Sequence, residues 1–77
     1  MATLTIDSRL RTEFWRLWRE YADGQTAAVG GTGGLVIFQD PFEQGPNQNG
    51  HIVFREVSEA FLEEVRANNF TILKVEE

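Results

Sequence analysis

The most constraining feature of the sequence is an apolar stripe at helical spacing near the N-terminus. Leu10, Phe14, Leu17, Trp18 and Tyr21 recur every three or four positions, with charged side chains between them. Because a helix turns once in about 3.6 residues, these five side chains fall within about a third of a turn of one another. The pattern predicts an amphipathic helix that buries its aromatic side against another element.

This predicted helix has both a start signal and a stop signal. Asp7 or Ser8 can cap its first turn, because a short side-chain oxygen accepts hydrogen bonds from free backbone amides. Gly24 is the predicted end, since glycine readily adopts the left-handed conformation found just past many helices. We therefore expect one helix between these two signals.

Strand patterns occur before and after this helix. The predicted strands are residues 2–6, 35–39, 51–55 and 70–75, which are rich in β-branched and other apolar residues. Residues 40–50, DPFEQGPNQNG, contain the prolines, glycines and asparagines that are typical of turns. We predict a loop there.

A second helix is predicted after the third strand. Ser58 is a suitable N-terminal cap, and the helix should continue to about Ala67. Its buried side would carry Phe61, Leu62 and Val65. The residues that follow, 68–69, are asparagines, which tolerate a left-handed exit from the helix.

The predicted order of elements is strand, helix, strand, strand, helix, strand. Connection rules turn this order into an antiparallel sheet with both helices on one face. The prediction is an α+β two-layer sandwich with the βαββαβ order of the ferredoxin-like plan, and residues 1–77 form a single domain. If residues 2–6 are not a strand, the fold is a three-stranded sheet with two helices.

Residues 30–34, GGTGG, raise the question of a phosphate-binding loop. Such a loop follows a strand and opens a helix, so that backbone amides and the helix dipole converge on the anion. Here a predicted helix comes before the glycines and a predicted strand after them, and no Lys-Ser or Lys-Thr pair completes the motif. We interpret the segment as a flexible connection from helix to sheet.

The residue types present limit the chemistry. The chain has no cysteine and a single histidine, His51, so we predict no metal site and no cofactor. Ser8 and Ser58 lie where helix caps are expected, and Glu59 and Glu63 are predicted on a solvated helix face. No catalytic arrangement emerges, and we predict that the domain is not an enzyme.

Charge and hydropathy bear on partners and location. The net charge is −5, and residues 25–77 carry all of it. This acidity argues against nucleic-acid binding, which depends on cations that contact phosphates, and permits a basic protein partner. The longest apolar run, 35–38, is too short to cross a membrane, and no secretory signal is evident. We expect a cytoplasmic location without membrane association.

Strand alternation predicts an outer face of the sheet that is half apolar. If Ile52 and Phe54 face the helices, the side chains of alternate parity face outwards. The predicted outward set is His51, Val53, Arg55, Thr71, Leu73 and Val75. Either Val36 and Phe38 or Leu35 and Ile37 would join this set, and Thr3 and Thr5 would complete it if the first strand exists. A large exposed apolar patch is typical of an interaction surface. The alternative is that the loop at 40–50, with Phe42, folds across this face and covers it.

Trp15 is the second indication of a binding surface. By helical angle it lies about 60° beyond the edge of the apolar stripe, close to Arg11 and Arg19. A partly exposed tryptophan beside arginines is typical of binding hot spots. The alternative is that Trp15 packs at the margin of the core and stacks on an arginine.

Together these features predict a small, acidic, non-catalytic protein-interaction module that binds another protein or forms a homodimer. Size and charge suggest by analogy an adaptor, an immunity-type protein or a phage-type inhibitor. The predicted partner-binding residues are Trp15, Arg11, Arg19, His51, Val53, Arg55 and Leu73. The alternative function is a domain that binds a small anionic ligand, or acts on one, through His51 and Arg55.

Overall fold

A computed structural model of the chain describes residues 1–29 and 39–77, which form two helices and a four-stranded antiparallel sheet. The elements are β1 (Ala2–Asp7), a 3-10 turn (Ser8–Leu10), α1 (Arg11–Val29), β2 (Phe42–Gln44), β3 (His51–Val57), α2 (Glu59–Ala67) and β4 (Lys74–Glu76). The predicted α+β class is confirmed. The glycine-rich connection predicted at 30–34 lies outside the described residues.

The sheet has the strand order β2-β3-β1-β4, and every neighbouring pair is antiparallel. The predicted first strand therefore exists, and β1 is a central strand. Leu4 lies opposite Phe54 on one side and opposite Val75 on the other. The register of β1 with β3 shifts between Ala2 and Leu4, where Glu56 of β3 has a φ of 60°. An extra residue on one strand of a pair bends and twists the ladder locally.

One face of this sheet carries the hydrophobic core. Along β1 every second residue is buried, which gives Ala2, Leu4 and Ile6 to the core. Along β3, Ile52 and Phe54 are buried in the same way. Alternation with a period of two is expected of a strand with one covered face. Residues from both helices join this core, so the two helices pack on the same face of the sheet.

Aromatic contacts join α1 to the sheet and to α2. The Phe14 ring stacks on the Phe54 ring with 3.9 Å between centroids, and meets Phe61 edge-on at 5.5 Å. Of the predicted stripe, Phe14 and Trp18 are buried, while Leu10, Leu17 and Tyr21 pack partly exposed against the core. The apolar stripe therefore packs against the sheet and α2, as predicted.

Both predicted start signals are present. Asp7 accepts a hydrogen bond from the Arg9 amide at 2.9 Å and caps the 3-10 turn that leads into α1. Ser58 Oγ accepts from the Phe61 amide at 3.2 Å and caps α2. The α2 helix ends at Ala67 as predicted, and Asn69 adopts a left-handed φ of 55°.

The predicted end of α1 is wrong. The helix continues through Gly24 to Val29, because Gly24 keeps a helical backbone. A glycine inside a helix costs about 1 kcal/mol relative to alanine, which a long helix tolerates. The segment after it contains Ala27 and Ala28, and alanine has the highest helix propensity.

The predicted loop at 40–50 and the predicted position of the last strand also need correction. Residues 35–38 of the predicted second strand lie outside the described residues, and Gln39 is not in a strand. The predicted loop at 40–50 instead contains β2, which pairs with Arg55, Phe54 and Val53 of β3. The last strand was predicted at 70–75 but is limited to 74–76. In both places pairing with a neighbouring strand, rather than local composition, determines where the strand lies.

Candidate partner-binding surface

The predicted partner-binding residues lie at three separate places. Arg11, Trp15 and Arg19 share one side of α1, where they line a shallow depression with Thr12 and Arg16. We call these five residues the helix-one patch. His51, Val53 and Arg55 lie on the face of the sheet opposite the core, called here the open sheet face. Leu73 precedes β4 and belongs to neither surface.

Trp15 is held in a defined orientation by contacts on two sides. Its Nε1 donates a hydrogen bond of 2.7 Å to Glu43 Oε1 on β2. Its ring meets the Phe54 ring at 5.5 Å and the Phe14 ring at 5.9 Å, both close to perpendicular. Edge-to-face contacts of this kind are favourable for aromatic pairs. The ring is therefore half-buried and fixed, with one part left at the surface.

Arg11 binds the same carboxylate oxygen as Trp15. Its Nε lies 2.8 Å from Glu43 Oε1, and the Glu43 side chain is only 25% exposed. Hydrogen bonds with an ionised partner are shorter and stronger than neutral ones. The β2 strand places Glu43 opposite Phe54, on the covered side of the sheet. One carboxylate thus ties α1 to the edge of the sheet.

Glu43 is the functional residue that the sequence analysis missed. It lies in the stretch predicted to be a loop, and nothing in that prediction singled it out. In β2 the apolar Phe42 is exposed and the charged Glu43 is half-buried, the reverse of what hydropathy predicts for a strand with one covered face. The sequence therefore carries no local signal that directs Glu43 towards α1.

The remaining members of the helix-one patch give it a positive charge. The depression has a volume of about 460 Å³. Arg16 pairs with Glu13 at 3.3 Å along the helix. In the part of the chain that the structure describes, Arg19 has no ion-pair partner within 4.0 Å. The predicted proximity of Trp15 to Arg11 and Arg19 is therefore observed, whereas the contact that orders the ring is with Glu43.

The open sheet face is more polar than predicted. Its central depression, of about 520 Å³, is lined by Thr3, Thr5, Val53, Arg55, Lys74 and Glu76. Val75 was expected here but lies opposite Leu4 and packs against the core. Leu73 and Thr71 precede the strand and do not extend this face. The prediction assumed a regular strand from residue 70, and the irregular stretch before β4 changes which side chains face outwards.

Phe42 does not cover the open sheet face. It lies at the edge of the sheet, opposite Arg55, and its side chain is 57% exposed. The alternative prediction, in which Phe42 folds across the face, is therefore wrong.

Lys74 pairs with Glu76 at 2.7 Å, and this contact lowers the pKa of Glu76 below its ordinary value. Arg55 is exposed beside them.

His51 lies at the end of the sheet, opposite Asp7. It shares a face with Arg55 but is not part of the lining of the central depression. Hydrogen bonds from the Arg9 guanidinium, and next from the Arg9 amide, lower the pKa of Asp7. Asp7 therefore binds Arg9, and His51 lies opposite Asp7 in the sheet.

Leu73 is 48% exposed and directly precedes β4. It lines a further depression with Asp7, Arg9, Leu10 and Thr71. Its amide donates to the Thr5 carbonyl at 2.8 Å, which anchors the chain before β4 begins. The predicted grouping of Leu73 with Val53 and Arg55 on one face is therefore not observed.

Within residues 1–29 and 39–77, no group of three or more histidine, aspartate or glutamate side chains is placed to hold a metal ion. No helix in the same residues combines the length and hydropathy needed to cross a membrane.

No family model, curated protein or solved structure matches the chain.

Proposed function

We propose that this domain is a non-catalytic protein-interaction module that binds its partner through the helix-one patch. The observation that carries this proposal is the shared hydrogen bonding of Trp15 and Arg11 to Glu43 Oε1. Tryptophan and arginine are the residue types most enriched at binding hot spots. Side chains already fixed in place lose less conformational entropy on binding, which favours affinity.

The role of the module is that of an adaptor or an inhibitor in the cytoplasm. Its small size and its net charge of −5 support this role by analogy with immunity-type and phage-type proteins. Val53 and Arg55 on the open sheet face, and Leu73 just before β4, are secondary contact points. In the other version of this proposal, the partner is a second copy of the chain and the two form a homodimer.

The first test is capture of a partner from nuclease-treated extract of the source cells, on the immobilised domain. Three variants are compared: Trp15→Ala, Arg19→Ala and Phe42→Ala. Trp15 and Arg19 lie in the patch, whereas Phe42 is an exposed aromatic residue on the sheet edge. We expect a stoichiometric protein that is lost with Trp15→Ala and Arg19→Ala but retained with Phe42→Ala.

Arg19→Ala keeps this test independent of folding, because Arg19 is exposed and has no ion pair in the described chain. Circular dichroism verifies that each variant is folded. Retention of the same partner by folded Trp15→Ala and Arg19→Ala variants would remove the patch from the proposal. Light scattering of the purified domain tests the homodimer.

We also propose that the fold is a variant of the ferredoxin-like plan. The βαββαβ order and the position of β3 between β1 and β2 support this assignment. The short β2 and β4, of three residues each, depart from a regular version. The fold alone carries no function, because folds of this kind serve many unrelated ones.

The second candidate function is binding of a small anion on the open sheet face. Arg55, Lys74 and the hydroxyls of Thr3 and Thr5 surround one depression, which favours this candidate. His51 would contribute from the end of the sheet. Inorganic phosphate should then raise the melting temperature of the domain, because a ligand of the folded state stabilises it. Arg55→Ala should abolish the shift, and absence of any shift in the unaltered domain would eliminate this candidate.

A further inference from the structure

We propose that the helix-one patch recognises an extended acidic segment of a partner protein, with two carboxylates about four residues apart and an apolar side chain between them. This inference rests on the proposed function and specifies its partner. It follows from the charge of the patch, the unused donors of its arginines and the spacing along α1.

The patch differs in charge from the domain that carries it. The chain as a whole has a net charge of −5. Among the described residues, the lining of the patch contains three arginines and no carboxylate. Glu43 and Glu13 reach Arg11 and Arg16 from outside the lining, which leaves the charge of Arg19 uncompensated. Charge complementarity therefore favours an acidic ligand.

The arginines retain donors for such a ligand. Arg11 uses Nε to bind Glu43, so its two Nη groups are not consumed by that hydrogen bond. Arg19 makes no ion pair in the part of the chain described. A guanidinium group has five N–H donors in a planar arrangement and binds a carboxylate through two of them. Arg11 and Arg19 can therefore each donate hydrogen bonds to one carboxylate of the ligand.

The spacing on α1 sets the length of the ligand. Arg11 and Arg19 are eight positions apart on the helix, with Trp15 midway. At about 1.5 Å per residue, this separation is about 12 Å. An extended chain advances about 3.3 Å per residue and covers that distance in about four residues. Carboxylates four residues apart thus match Arg11 and Arg19, and the residue between them lies over the Trp15 ring.

Nucleic acid is the competing acidic ligand. The carboxylates of Glu13 and Glu43 lie next to the arginines, and the rest of the domain is strongly acidic. A phosphate backbone that extends past the patch would meet this negative surface, and its affinity depends on the number of cations it contacts. A short protein segment avoids that repulsion, so the observations favour protein.

The test uses fluorescence anisotropy with a labelled peptide of sequence Gly-Glu-Ser-Leu-Ser-Glu-Gly. The control peptides replace both glutamates by glutamine, or place them next to each other. Protein variants are Arg19→Glu in the patch and Arg66→Glu on α2, which make the same charge change at exposed sites. We expect saturable binding that weakens at least about tenfold with Arg19→Glu and with either control peptide. Arg66→Glu should leave the affinity unchanged, and added salt should reduce it.

Three results would overturn the inference: no binding of the peptide up to about 1 mM, equal loss with Arg66→Glu, or tighter binding of an oligothymidylate than of the peptide. The first two eliminate a specific acidic ligand, and the third assigns the patch to nucleic acid. None of them decides the proposed function, which depends on capture of a protein and its loss with Trp15→Ala. A captured partner without peptide binding would retain the module and reject this ligand.

Discussion

At the scale of single residues, Glu43 connects the sheet edge to the helix that carries the candidate surface. Its Oε1 accepts hydrogen bonds from both Arg11 and Trp15. Removal of one partner from a partly buried polar cluster leaves the other donors without a hydrogen bond, and this costs more than the bond itself contributes. The residue is therefore expected to matter for stability as well as for the shape of the patch.

We expect Glu43→Ala to lower the free energy of unfolding by about 1–2 kcal/mol. The matched control is Glu63→Ala on α2, where the glutamate is exposed. Surface substitutions of that kind change stability by less than about 0.5 kcal/mol. Urea denaturation of the two variants measures the difference. Equal stability of the two variants would mean that the Glu43 contacts contribute nothing in solution.

Phe14 is a core residue whose ring contacts several other aromatic rings. It is fully buried, and its ring contacts those of Trp15, Phe54, Phe61 and Phe70. Phe14→Ala should cost about 3–5 kcal/mol, a large share of the stability of so small a domain. Phe42→Ala, at an exposed site, should change little. Thermal unfolding followed by circular dichroism compares them, and similar melting temperatures would contradict this assignment of the core.

At the scale of elements, α1 illustrates how a local stop signal can be overridden. Gly24 is exposed within the helix, and a Cβ added there meets no atom within 4 Å. The helix persists because the preceding turns are anchored by the buried side chains of Phe14 and Trp18. Tertiary packing contributes most of the stability of helices in proteins, so one unfavourable residue does not end them.

Gly24→Ala should therefore stabilise the domain, by about 0.5–1 kcal/mol. The same substitution at Gly50 should destabilise it, because Gly50 has a φ of 73° and a left-handed backbone costs an L-residue about 1–2 kcal/mol. Chemical denaturation of both variants supplies the comparison. If Gly24→Ala were also destabilising, the helix would end at Gly24 as the local pattern predicts.

At the scale of the whole molecule, two exposed ion pairs contribute to the effect of acid on stability. Hydrogen bonds from Arg9 lower the pKa of Asp7, and those from Lys74 lower the pKa of Glu76. A carboxyl group whose pKa is lower in the folded state stabilises the fold above its unfolded pKa. That contribution disappears as the pH falls through the folded pKa, so acid should weaken both contacts.

For Asp7 this effect can be isolated with Asp7→Asn, which retains an oxygen to accept the Arg9 amide but has no charge. The melting temperature of the unaltered domain should exceed that of Asp7→Asn above the ordinary aspartate pKa of about 3.9, and the difference should shrink as the pH falls through the lowered pKa of the folded state. Asp23→Asn is the control, because exposed Asp23 has no ion pair in the described residues. A difference for Asp7→Asn that does not vary with pH would refute the proposed cause.

The sequence by itself determined the elements whose pattern is local. The aromatic stripe, the alternation of Leu4 and Ile6 in β1, and the Ser58 cap all act between residues close in the chain. Each indicates a face or an end without reference to the rest of the molecule. From these the α+β class and the side of α1 that bears Trp15 could be predicted.

Only the tertiary structure decided the positions of β2 and β4 and the contacts of Trp15. A three-residue edge strand has almost no pattern of its own, and it forms where a neighbouring strand offers hydrogen bonds. For β2 that neighbour is β3, and the pairing directs Glu43 towards Arg11 and Trp15. For β4 it is β1, which turns Val75 towards the core. These contacts join residues far apart in the chain, so no local spacing could encode them.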